Sequence, residues 1–128
     1  MSFPKRPSTL SELGRRVLNG ADAGIEVKDF LHEFEVAASA AMFSVRPLQL
    51  TGRVEHGDRL DAYLQALAVF LCARLNVDPP EWTQPVLALP QPWFASPGPA
   101  IRNYLLMSSP APFRTRNLFV DEDSLQVA

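Results

Sequence analysis

The sequence predicts an all-α fold: a small helical bundle crossed by a proline-rich extended strap, with little or no sheet. Three observations carry that reading. Apolar residues recur at spacings of three and four in separate stretches of the first half, the period of a helix with one buried face. The helical patterns are bounded by stop signals, Asn19-Gly20 after the first and Asn76 with Pro79-Pro80 after the third. Seven of the twelve prolines, and both tryptophans, fall between Pro79 and Pro99, where closely spaced rings fix φ and remove amide donors, giving a stiff extended segment. At 128 residues, 47% hydrophobic and with a formal net charge of -2, the chain has the size and balance of one globular domain. Residues 1–8 read as a flexible arm and residues 9–128 as the domain.

In helix one, Thr9 and Glu12 stand at capping-box spacing, Leu10, Leu13, Val17 and Leu18 form the apolar stripe, and Asn19-Gly20 ends it. Helix two opens at Asp22 or Gly24, carries Val27, Phe30, Leu31 and Phe34 inward, and runs on into "EVAASAAMF"; the short link makes the two helices an antiparallel hairpin. A polar excursion follows, "RPLQLTGRVEHGD". Helix three is the clearest element. Leu60, Tyr63, Leu64, Leu67, Ala68, Leu71 and Leu75 occupy offsets 0, 3, 4, 7, 8, 11 and 15, with Asp58 as the expected cap and Asn76 as the stop. A helix apolar over so much of its surface belongs at the centre. The strap follows, with Trp82, Leu87, Leu89, Trp93 and Phe94 as its pegs, either packed in helical grooves or turned to a partner. Beyond Pro99, Ile101, Tyr104, Leu105 and Ser108 define one side of a short helix ended by Pro110. A turn at "APFRTRN", a brief apolar extended run and a final acidic turn complete the chain.

The chemistry-bearing residues are sparse. The single cysteine, Cys72, lies in the apolar pattern of helix three, so no internal disulfide forms and the thiol reads as inert. Two histidines, His32 and His56, are all that the chain offers for near-neutral acid–base work. Asp29, His32 and Glu33 share a helix face without the spacing of a zinc signature, and His56 beside Asp58 and Asp61 has no serine or cysteine to activate. No phosphate-cradling glycine motif is present. The reading is therefore of no catalytic residue, no metal and no cofactor. The longest apolar runs are too short to span a bilayer and no export signal opens the chain, which points to the cytoplasm. Basic residues come in four pairs, Lys5 with Arg6, Arg15 with Arg16, Arg53 with Arg59 and Arg114 with Arg116, but helix two carries Glu26, Asp29, Glu33 and Glu35 against Lys28 alone, which would repel a DNA groove.

The ordered series "LDAYLQALAVFLCARL", "PPEW", "PWF", "SSPAPFRTRNLFV" resembles the C-terminal half of a group of small bacterial proteins of unassigned role, built as a long helix, a P-x-W step, a P-W-F step and an S-P-x-x-F-R-x-R-N-x-F-V ending. Segments of this kind follow helix-turn-helix regions in some antitoxin-like regulators or stand beside nucleotidyltransferase-type toxins. The matching positions are Trp82, Pro92, Trp93, Phe94, Ser109, Pro110, Phe113, Arg114, Arg116, Asn117, Phe119 and Val120. The resemblance implies a non-enzymatic, protein-binding role, the antitoxin-like or accessory half of a two-gene module whose partner is a toxin encoded next door. A DNA-binding regulator and a small subunit of an enzyme complex are the alternatives, and the opening of this chain lacks the regulators' DNA-binding unit. Joining aromatic anchors to two arginines capable of bidentate contacts, Trp93, Phe94, Phe113, Arg114, Arg116, Asn117 and Phe119 form the expected partner-facing surface. On that expectation, removing Arg114 and Arg116 together weakens a partner and leaves the melting temperature nearly unchanged. The rival expectation pairs these arginines with Asp121, Glu122 and Asp123 or has them cap helix ends.

Overall fold

A computed structural model describes residues 6–96 and 98–126 of the chain. Five helices are seen among them: α1 (Leu10–Leu18), α2 (Ala23–Ala37), α3 (Gly57–Arg74), α4 (Pro99–Ser108) and α5 (Ala111–Arg114). Two short strands, β1 (Trp93–Phe94) and β2 (Leu118–Phe119), pair in parallel, Trp93 opposite Leu118 and Phe94 opposite Phe119. The fold is mostly α-helical, with sheet confined to that one pair among the described residues.

Thr9 caps α1 by accepting the Glu12 amide at 3.0 Å. Glu12 completes the arrangement one residue earlier than a capping box would, accepting from the amide and hydroxyl of Ser8 at 3.3 and 3.0 Å. Partial burial alone would raise its carboxyl titration, but the Ser8 donors and the Arg16 guanidinium hold it below the usual carboxylate range. Pro7 is buried and Ser8 is bonded, so the packed domain reaches back into the expected arm; residues 1–5 lie outside the described residues. Gly20, at φ 103°, ends α1, with the Ala21 amide returning to the Arg16 carbonyl and the Gly20 amide to that of Val17. Arg16 then bridges α1 and α2, reaching Glu12 at 2.7 Å and Glu26 at 3.3 Å.

Helix α2 stops at Ala37, earlier than the alanine-rich sequence predicts. Ala38 turns extended and Ser39 caps a 3-10 turn over Ala40–Phe43. The turn drives Phe43 into full burial against Phe30 and Phe34, with ring centroids 5.8 and 6.0 Å away. A continuous helix could not double back to make those contacts. Tertiary packing of one phenylalanine overrides the helix propensity of four alanines.

Helix α3 is central, with Ala62, Leu64, Ala66, Leu67, Ala68, Leu71 and Cys72 all buried. Its entry differs from expectation. His56, in the left-handed conformation at φ 58°, occupies the cap position with no side-chain bond, while Asp58 accepts only the neighbouring Arg59 amide at 2.8 Å. The carboxylate that ties this entry is Asp61, which accepts the amides of Leu50 and Thr51, each at 2.9 Å. Asp61 thereby fastens the polar excursion to α3 and is not free to orient His56. The fastening brings the chain against Gly57, where an added Cβ would stand 2.1 Å from the Leu50 carbonyl oxygen. Gly57→Ala is expected to cost about 3 kcal/mol, since backbone rather than a movable side chain blocks the methyl; urea unfolding measures it, and a midpoint within error of wild type would show that the excursion yields. The exit matches expectation: Asn76 at φ 56° sends its amide to Ala73 and the Val77 amide reaches Cys72.

The strap lies across α3 as an extended segment. Its amides at Leu87, Leu89, Trp93 and Ala95 all donate inward, to Gln65 Oε1 and the carbonyls of Arg116, Asn117 and Phe119. Pro90 and Pro92 sit at intervening positions where no donor is asked for, so the prolines stiffen the strap without leaving a bond unmade. Trp82 is pegged by its indole N–H to the Phe43 carbonyl at 2.7 Å, and Leu89 and Trp93 rest on the core. Leu87 is not a peg. Its side chain is exposed and its backbone makes the contact.

Candidate functional site

The string "SSPAPFRTRNLFV" folds as a clasp between the strap and α3. Ser109 closes α4: its hydroxyl donates to the Leu105 carbonyl at 2.6 Å and accepts the Val120 amide at 3.0 Å. Pro110 opens α5, which sets Phe113 edge-on to Tyr63 and Phe70, at centroid distances of 5.2 and 6.1 Å. Asn117, left-handed at φ 62°, donates its side-chain amide to the Leu89 carbonyl at 2.8 Å.

Arg116 is the residue on which the clasp closes. Its side chain is buried, at 2% exposure for the residue. Nε donates to Gln65 Oε1 and one terminal nitrogen to the Pro112 carbonyl, both at 2.8 Å, while the other terminal nitrogen reaches the Thr83 carbonyl at 3.3 Å. Gln65 is buried as well; besides Arg116 its oxygen accepts the Leu87 amide at 2.9 Å, and its amide nitrogen donates to the Pro85 carbonyl at 3.0 Å. One polar hub therefore joins α3, the strap and the chain after α5. No carboxylate pairs with Arg116 among the described residues; neutral oxygens carry its charge, and burial pushes its titration down from the ordinary guanidinium value.

These placements divide the expected partner-facing set. Phe113 and Arg116 are corrected: both are buried within the chain, because the rings of α3 and the hub's carbonyls take them. Phe119 is buried too, and Asn117 spends its side chain on the strap. Pairing with Asp121, Glu122 and Asp123 is corrected with them, since among the described residues neither arginine forms an ion pair. Arg114 is exposed. Trp93 and Phe94 are half-buried, each covered by an arginine: the Arg59 guanidinium lies 4.7 Å from the Trp93 ring, and that of Arg102 lies 4.8 Å from Phe94, which stacks on Phe119 at 5.0 Å.

Two surfaces border these covered rings. On one side α4 buries Leu105 but leaves Ile101, Tyr104 and Met107 exposed, Met107 at 84%. Spaced at three, these form one outward row, and of the side expected to join Ile101, Tyr104, Leu105 and Ser108 only Leu105 is buried. On the other side, α2 and the start of α3 flank an open trough of about 770 Å³, floored by Val27, Leu31, Leu60 and Tyr63 and ended by Trp93. Lys28, His32 and Arg59 stand along it, and no carboxylate lines it among the described residues.

Sequence reasoning passed over Gln65. Its signal is a lone amide inside the apolar face of helix three, a position that a buried polar partner must explain. One member of each basic pair is engaged within the chain: Arg6 faces Glu33 at 4.0 Å, Arg16 is held by two glutamates, Arg59 covers Trp93, and Arg116 is interior, while Lys5 lies outside the described residues. Asp29, His32 and Glu33 belong to no metal-holding group, and none of three or more His, Cys, Asp or Glu occurs among the described residues. No helix among them is long and apolar enough to cross a membrane. No family model, curated protein or solved structure matches the chain.

Proposed function

We propose that the chain is a non-catalytic, protein-binding component acting in a bacterial cytoplasm, the antitoxin-like or accessory half of a two-gene module. The observation that carries the reading is the uncovered row of Ile101, Tyr104 and Met107 on α4. A large aromatic, a β-branched residue and an adaptable methionine in one line suit a groove or helix on another protein. Arg102, held over Phe94 at the start of the same helix, supplies a cationic rim. Support for the two-gene setting comes from the resemblance of the second half of the chain, in which Trp93, Phe94 and the clasp serve as the scaffold that presents α4.

Tyr104→Ala combined with Met107→Ala removes exposed side chains only, so the melting temperature is expected to stay within about 2 °C of wild type. Calorimetric affinity for the protein encoded next door is expected to fall by about 2 kcal/mol or more, the scale of two central interface contacts. Undiminished affinity in that double variant would remove α4 from the interface and this reading with it.

A further inference from the structure

We infer that the trough between α2 and α3 is a binding site for a soluble single-chain carboxylate, a fatty-acid-like amphiphile of medium length. The inference is independent of the protein-binding reading, which rests on α4.

Three observations converge on that occupant. The open trough has a volume of about 770 Å³, within the range of roughly 300 to 1,000 Å³ typical of small-ligand sites, and Val27, Leu31, Leu60 and Tyr63 among its lining residues offer apolar surface to an acyl chain. Lys28 and Arg59 line it without an ion pair among the described residues, so the site carries uncompensated positive charge beside apolar surface. Tyr63 adds a neutral donor. Burial pushes its phenol up to about 12, and its hydroxyl has no hydrogen-bond partner among the described residues. A carboxylate is the head group that complements this charge and can also accept from the phenol, and its tail covers the apolar lining that the head leaves. The concave shape favours a free amphiphile over a bilayer, whose flat surface would meet the rims and leave the floor empty. Arg59 also lies over Trp93, so a head group that draws the guanidinium away changes the environment of that indole.

Titration of the full chain with monomeric dodecanoate, followed by calorimetry and by amide chemical shifts, tests the site. The expected result is saturable binding at one molecule per chain, with shifts concentrated at Val27–His32 and Leu60–Tyr63, and affinity for dodecyltrimethylammonium lower by at least about tenfold. Lys28→Gln with Arg59→Gln is expected to weaken dodecanoate by at least about tenfold. Should the double variant melt early, Lys28→Gln alone, at an exposed position, must still weaken dodecanoate and spare dodecanol. Absence of saturation, shifts centred elsewhere, equal affinity for the cationic chain, wild-type affinity in the charge variants, or binding only to phosphatidylglycerol vesicles would each overturn the assignment.

Discussion

Arg116→Ala is expected to unfold the protein near ambient temperature or to lower its melting temperature by about 10 to 20 °C. The Pro112 and Thr83 carbonyls would lose their interior donor, and Gln65 would keep only the Leu87 amide at its oxygen. Each unsatisfied buried group costs about 1 to 3 kcal/mol, and the vacated volume adds a cavity cost. The guanidinium is itself an expensive group to bury, so its removal returns part of that sum; a net loss of about 3 to 5 kcal/mol remains, against a total stability of about 5 to 15. Arg116→Lys separates charge from geometry: it keeps the cation but presents one nitrogen where three served, and is expected to fall close to alanine. Arg114→Ala, at an exposed position, is the control and should melt like wild type. Thermal denaturation of the three variants decides the matter, and an Arg116→Ala protein melting within about 3 °C of wild type would show that the hub is dispensable. The same burial corrects the expectation that both arginines could be removed without loss of stability.

Leu67→Asp should give no folded protein. Leu67 is fully buried halfway along α3, and the buried cation of the fold, Arg116, already has its nitrogens engaged by Gln65, Pro112 and Thr83. Leaving the charge uncompensated, or protonating the acid to avoid it, costs several kcal/mol on top of the lost leucine volume, which a domain of this size does not survive. Leu67→Ala provides the graded comparison, with an expected loss of about 2 to 5 kcal/mol. The readout is a urea or thermal transition by circular dichroism. A soluble Leu67→Asp protein with a cooperative transition near that of wild type would take α3 out of the centre of the fold.

How much of this could be read from residues alone depended on whether local chemistry or distant partners decided each feature. Thr9 and Asn76 mark helix ends by what a single side chain or left-handed residue does for neighbouring amides, and both were legible. Asp58 was misread because its spacing suits a cap; the cap position went to His56 once Asp61 had drawn the excursion against Gly57. The early end of α2 follows from where Phe43 must pack, which no count of alanines reveals. The same limit applies to the clasp. Phe113, Arg116 and Phe119 have the composition of an interface, and arginine is so often exposed that its burial becomes visible only when Gln65, 51 residues earlier, is found beside it. The helix of α4 was legible, with Ile101 and Tyr104 on one side, but the exposed row that they form with Met107 was not, since facing depends on what the rest of the chain leaves uncovered.

That separation also sets a timetable for synthesis. Gln65 leaves the ribosome 51 residues ahead of Arg116, a delay of about 3 to 10 s at ordinary elongation rates. Through that interval α1, α2 and α3 can form and meet, but the floor under the strap has no cover and Gln65 lacks its cationic partner. The nascent chain therefore presents the apolar flank of α3 to other molecules until Arg116 and its neighbours arrive. A protein whose closing contact spans so long a separation cannot hide its interior early, and its yield in the cell is governed by how long that flank stays open as well as by the stability finally reached.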